Sequence, residues 1–397
     1  MEKSTTYVAL DAHKKQHTVA MLLPGENEAE VWTVPNTARD IRRMVRRVRK
    51  RGSGEVKFCY EAGVCGFGLQ RQIEAEGATC EVIAPSLIPV KPGERIKTDR
   101  RDAKKLVELF RGGLLTVVHA PDEEAEAVRD LVRCREAAQS DLQRSRQRLG
   151  KFLLRRALIY VDGRAWTQRH TRWLDGLEFT QPADTLVFGE YRMEVSRRQE
   201  RVAALTVEVT SSSADGRYAE AVGWLRCFRG IDTLTAMTIL VELHGFERFV
   251  EARQLMSYLG LTPSEFSSGQ RQRKGGITKA GNRRVRRVLI EASWHQAKPA
   301  RVSKALQQRR AGQPPWVIAL ADRALKRLHR RYHRLVNRGK LPAVANTAVA
   351  RELVGFLWAA LYLKGRAAAT AQTPETAAAP PAERRVTARE FYASAAP

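Results

Sequence analysis

Three short β-type runs occupy the first 35 residues, and the turns between them are too short for anything but close antiparallel returns. Residues 6–10 are apolar and β-branched, 11–16 form a polar turn, 17–23 are apolar again, PGENE turns the chain, and 29–34 make the third run. This spacing predicts an antiparallel meander. The pattern then changes to alternation. Residues 37–50 read as a helix, with Ile41, Met44, Val45 and Val48 on one stripe and mostly Arg or Lys elsewhere. Strand, helix, strand and helix follow at 56–60, 66–76, 80–84 and 98–110.

A meander that passes into strand–helix alternation is the order of an RNase H-like α/β layer structure, the fold expected of residues 1–120. From 122 to 156 the pattern is purely helical, with Leu131, Ala138, Leu142, Leu149 and Phe152 at coiled-coil spacing but Arg135 and Ser145 interrupting the seam. Such a helix either packs on its own chain or forms a dimer seam. Residues 157–190 carry Trp166 and Trp173 in a Gly/Pro-punctuated stretch without a clear period, and 191–209 are expected to return antiparallel. Residues 218–249 read helix–turn–helix around Gly230-Ile231-Asp232, either a phosphate-presenting helix-hairpin-helix or a plain αα-hairpin. The segment 300–363 is helical and contains KRLHRRYHRLVNRGK, seven Lys or Arg without an acid. The expected organisation is therefore α/β plus all-α: residues 1–120, a helical arm at 121–212, a helical domain at 213–365, and a low-complexity Ala/Pro tail at 366–397.

Composition narrows the partners. The 397 residues hold 69 Lys plus Arg against 43 Asp plus Glu, a formal charge of +26. That excess favours a polyanionic partner, nucleic acid before an anionic membrane, because no basic amphipathic anchor stands out. No run of eighteen apolar residues suggests a spanning helix, so no membrane partner is expected. The five cysteines form no C-x-x-C pair, which argues against a zinc ribbon or a disulfide framework. The start MEKSTTYVAL has no signal-peptide pattern, so a cytoplasmic address is expected.

Two groups of residues carry the chemistry. Asp11 ends the first strand and Glu61 follows the fourth; in an RNase H-like sheet those strands are neighbours. Asp99 and Asp102 are three apart on the helix from 98, hence on one face. Any one of these acids is by default a weak surface ion pair. Four converging carboxylates would repel one another, and Mg²⁺ in a two-metal arrangement suits them, clamping the attacking and leaving oxygens of a phosphoryl transfer. His13 and His17 have metal-like spacing, but across a strand turn this reads as coincidence rather than a zinc site.

The second group is GLTPSEFSSGQRQRKGGITKAGNRRVRRVLI. Between Phe266 and Ile290 there are eight Lys or Arg and no acid: Arg271, Arg273, Lys274, Lys279, Arg283, Arg284, Arg286 and Arg287. With Gly269, Gly275, Gly276 and Gly281 they read as a phosphate-tracking surface, and Asn282 is placed to cap the helix that follows. Ser264, Ser267 and Ser268 precede the glycines. The plain reading of each is turn formation; the sharper one is a serine nucleophile in a basic pocket.

YVALDAHKKQHTVAML, FCYEAGVCGFGLQRQI and IKTDRRDAKKLVELF together resemble the RuvC-like DEDD domain of a family of bacterial insertion-sequence transposases. FRGIDTLTAMTILVELHGFERF, LMSYLGLTPSEFSSG and KGGITKAGNRRVRRVLIEASW resemble that family's second domain. It is the family of bridge-RNA-guided recombinases, related to the Piv DNA invertases. The resemblance implies a DEDD set of Asp11, Glu61, Asp99 and Asp102. It also implies a nucleophilic serine in the PSEFSSG run, pointing to Ser268, with Ser267 and Ser264 as alternatives. It further implies a dimer or tetramer in which one subunit's acids meet another's serine, and a structured bridge RNA that pairs with donor and target DNA. The rivals are a RuvC-like metal-dependent junction resolvase or nuclease, and a non-catalytic nucleic-acid-binding protein. Family functions are not transferred to 300–397.

Overall fold

The computed structural model describes residues 4–89, 98–214, 216–268 and 273–372, with side chains as far as 362. The chain divides into two compact units, Met1–Asp122 and Glu123–Pro397.

The first unit holds a five-stranded sheet: β1 (Thr5–Ala12), β2 (Gln16–Leu22), β3 (Glu30–Pro35), β4 (Glu55–Glu61) and β5 (Thr79–Ile83), in the order β3-β2-β1-β4-β5. β1, β2 and β3 run antiparallel, as the short turns require, while β4 and β5 join parallel through helical crossovers. Residues alternate between the two faces. Val8, Leu10, Val19, Met21, Phe58 and Tyr60 pack under α1 (Ala38–Arg51) and α2 (Gly68–Ala75). Ala9, Ala20, Leu22 and Cys59 face α3 (Asp99–Arg111), which buries Ala103, Leu106, Val107 and Phe110. Thr37 and Thr98 cap α1 and α3, each accepting a first-turn amide. The strand order and helix layers are consistent with an RNase H-like domain.

The second unit is almost entirely helical. α4 (Glu123–Leu154) and α6 (Pro182–Ala214) pack side by side, with α5 (Gln168–Asp175) between them in sequence. The α4 stripe is used within the chain: Ala138, Leu142, Leu149 and Phe152 bury against Phe188, Val195 and Val202. Arg135, an interruption in that stripe, donates to Thr206. The return helix is longer than 191–209 because Pro182 stands at its first turn, where a missing N–H costs nothing.

The hairpin of α7 (Ala219–Arg226) and α8 (Thr233–Leu243) forms as expected. Asp232 caps α8, and the turn carbonyls of Arg229 and Ile231 accept from Gln296 and Arg309. α9 (Ala252–Tyr258), α10 (Arg283–Ser293), α11 (Lys304–Arg310), α12 (Pro315–Asn337) and α13 (Pro342–Gln372) complete the unit. Within α13, Pro342–Tyr362 is long and apolar enough to cross a membrane, but it is mostly buried and supplies Val349, Leu353, Phe356 and Leu357 to the core. Its backbone stays helical to Gln372, past 366 where the tail was expected to start, as an Ala-rich segment favours. Residues 373–397 lie outside the described residues.

Candidate functional site

Asp11 and Glu61 reach one place because of register. Leu10 pairs with Tyr60 on parallel neighbours, so the next residue on each strand, Asp11 and Glu61, stands at the same sheet edge. Both share the side-chain parity of Ala9 and Cys59, the face that α3 covers. α3 begins at that edge with Asp99 and Asp102 in its first turn, where the helix N-terminus favours acids.

His13 joins them. Its Nε2 lies 3.2 Å from an Asp11 carboxylate oxygen and 3.7 Å from one of Asp99. One ligand atom each from Asp11, His13 and Asp99 lies within 4.8 Å of the other two. Burial pushes the Asp11 carboxyl up from its ordinary value; the Asp99 and Asp102 charges push the same way, against His13. A half-buried acid beside two more is the environment a divalent cation relieves, and the mixed O/N donor set can hold one. The histidine pair is split: His17 is buried within β2, where burial lowers its pKa, and it takes no part in the cluster. His13 was passed over because sequence spacing tested it only against His17, whereas a tight turn, with His13 N–H donating to Gln16 at 3.3 Å, returns it towards Asp11.

The serine segment folds into a two-stranded ribbon of β6 (Pro263–Glu265) and β7 (Lys274–Ile277), which apolar periodicity did not signal because strands of three and four residues are too short to show a period. Ser264 donates to Gly276 O at 3.2 Å, and a Cβ at Gly275 would come 2.4 Å from Ser264 Oγ, so a side chain there would displace that hydroxyl. Ser267 donates to Glu265 at 2.8 Å and accepts from Arg273 N–H. Ser268 is exposed, and among the described residues its hydroxyl has no hydrogen-bond partner.

The basic residues fall into two groups. Arg273, Lys274, Lys279 and Arg283 are exposed. Asn282 caps α10 as expected, accepting from the amides of Arg284 and Val285. The other three arginines expected to track phosphates are engaged within the chain. Arg284 and Arg287 both pair with Glu136 of α4, and Arg286 donates to the carbonyls of Leu259 and Ala280. Arg271 lies outside the described residues.

Residues 224–308 match the family described as Transposase IS116/IS110/IS902 family, and residues 8–156 match a DEDD-type IS110 transposase domain. The transposase-designated protein y4qE of Sinorhizobium fredii is 41% identical over 355 residues, covering 89% of this chain and 87% of its own. The transposase for insertion sequence element IS1533 of Leptospira borgpetersenii is 35% identical over 337 residues, covering 84% of this chain and 97% of its own. The matches span both the acid-bearing sheet edge and the serine ribbon, and the chain belongs to the IS110/IS116 family of insertion-sequence transposases.

Proposed function

We propose that this transposase is a bridge-RNA-guided recombinase that cuts and rejoins DNA through a phosphoserine at Ser268. The observation that carries the choice of serine is the hydroxyl inventory: Ser264 and Ser267 hold the ribbon together, while the exposed Ser268 is left for chemistry. In the cleavage step Ser268 Oγ attacks the scissile phosphorus and the P–O3′ bond breaks. The serine proton ends on the departing 3′-hydroxyl, and no phosphate-bond energy is lost. Religation reverses the step on the exchanged strand, which explains why no nucleotide-binding loop is needed. Asp11, Glu61, Asp99 and Asp102 would hold Mg²⁺, which when bound stabilises charge on the reacting oxygens. Exposed Arg273 and Lys274 supply guanidinium and ammonium groups near the serine for the phosphate.

On this reading residues 1–120 are the catalytic acid domain and 121–212 an arm that brings protomers together. Residues 213–365 are the serine domain and 366–397 a tail without chemistry. The acids of one subunit serve the serine of another in a dimer or tetramer, acting in the cytoplasm. Sequence choice is delegated to base pairing between bridge RNA and the donor and target DNA.

The test is to incubate the purified protein and its co-purifying RNA with labelled duplex carrying the element junction, plus Mg²⁺, and to look for denaturation-resistant adducts. An adduct that maps to Ser268 and disappears in Ser268→Ala is expected. Cleaved DNA without an adduct would assign the acids to a RuvC-like hydrolytic nuclease instead. Undiminished transposition in Asp11→Ala would make the acids structural ion pairs without a part in the chemistry.

A further inference from the structure

With Arg284, Arg286 and Arg287 committed to Glu136 and to backbone carbonyls, α10 offers fewer cations to a phosphate backbone than its sequence suggests. A denser set lies on α12. This helix carries six Lys or Arg and one acid, Asp322. Its inner side is satisfied within the chain. Arg327 and Arg331 pair with Glu352 of α13 at 3.1 and 3.2 Å, Asp322 takes Arg310 at 2.7 Å, and His329 and His333 bond the carbonyls of Gln296 and Ala297.

Arg323, Lys326, Arg330 and Arg334 are different. They follow one another at i+3, i+4 and i+4, so they form a single row along the outer face. All four are exposed, and among the described residues none has an acidic partner. At 1.5 Å per residue the row is about 16 Å long. Like charges at this spacing weaken a helix, and among the described residues no acid pairs with them on this face. A polyanion does.

We propose that this face of α12 is a docking surface for duplex DNA, contacting the phosphate backbone and not base edges. The family acts on DNA, and a straight row of cations without interleaved acceptors or aromatic side chains suits backbone positioning. The proposal does not depend on the phosphoserine chemistry and is tested apart from it.

The experiment uses full-length Ser268→Ala protein in EDTA, so that no cleavage intervenes, and a short labelled duplex of arbitrary sequence. Affinity is measured by anisotropy across a salt series, with Arg323, Lys326, Arg330 and Arg334 all changed to Gln in the variant. The log–log salt slope is expected to become shallower by between about 1 and about 3.6, the latter if all four reach phosphates at about 0.9 each. A smaller change overturns the proposal. So does a variant that loses affinity for a structured RNA hairpin while its duplex DNA slope is unchanged. Replacing the three arginines by Lys should keep the original slope, since a point charge suffices. If the fourfold variant melts early, Arg330→Gln with Arg334→Gln repeats the test, and an unchanged slope there also overturns it.

Discussion

The side-chain amide of Asn282 donates to the buried Glu242 carboxylate at 2.7 Å while its carbonyl oxygen caps α10. The same carboxylate receives two bonds from Arg133 of α4, at 2.6 and 2.9 Å. One acid therefore ties α4, α8 and the first turn of α10 together.

That position predicts a pH-dependent stability. Burial alone would raise the Glu242 carboxyl, but the bonds from Arg133 and Asn282 outweigh it and hold it below its ordinary 4.5. A carboxyl depressed in the folded state contributes stability that is present above its unfolded value and lost as pH falls through the folded one. Glu242→Gln should cost about 2 kcal/mol near neutrality, less than the ~3–5 of a fully buried pair because Arg133 keeps access to water. Urea unfolding should show the gap between wild type and variant closing below the ordinary glutamate range. A gap that stays constant with pH would remove the ionic role.

The acid cluster predicts linkage to divalent cations. Without a cation, Asp11 sits half-buried beside other acids, so Asp11→Asn should melt no lower than wild type in EDTA. A cation at a hundred times its Kd should stabilise wild type by about 2.7 kcal/mol, and the variant hardly at all. Thermal melts with and without Mg²⁺ decide this.

His13 predicts a change in metal preference. An imidazole nitrogen among carboxylates favours later transition ions more than Mg²⁺. Calorimetry on His13→Ala should show Ni²⁺ affinity falling by a larger factor than Mg²⁺ affinity; equal losses would make His13 a bystander.

Gly281 should be intolerant where Gly276 is not. Gly281 has φ +64° and a Cβ there would lie 1.8 Å from Tyr258 O, whereas one at Gly276 meets nothing within 4 Å. Gly281→Ala should destabilise by about 2 kcal/mol or more and Gly276→Ala by well under 1, read as the urea midpoint.

The ribbon serines should separate. Ser264→Ala and Ser267→Ala each remove a bond that shapes the ribbon, so the protein–DNA adduct should form in lower yield but persist. Loss of the adduct in Ser267→Ala with retention in Ser268→Ala would move the nucleophile by one residue.

Much of the first unit was legible in sequence because its causes are local. Short apolar runs bounded by turns marked β1 to β5, the 3.6-residue stripe marked α1, and the helices expected from Thr37 and Thr98 start where those side chains cap them, as Asn282 does for α10 in the second unit. That Asp11 and Glu61 stand at one sheet edge followed from strand order and parity, while the ligand atoms that meet among the described residues are those of Asp11, His13 and Asp99. α6 was cut short because punctuation by Pro182 and Gly189 hid its beginning, and the β6–β7 ribbon was missed because strands of three and four residues carry no period.

Sequence by itself determined the sheet-and-helix order, the positions of the acids and the basic excess, since periodicity, capping and charge are properties of neighbours along the chain. Only tertiary structure decided that His13 stands with Asp11 and Asp99 while His17 does not. It also decided that Arg284 and Arg287 are spent on Glu136, some 150 residues earlier, while the row on α12 meets no acid among the described residues. Ion pairing depends on distance through space, and a basic run reads the same in sequence whether or not an acid from another helix folds onto it.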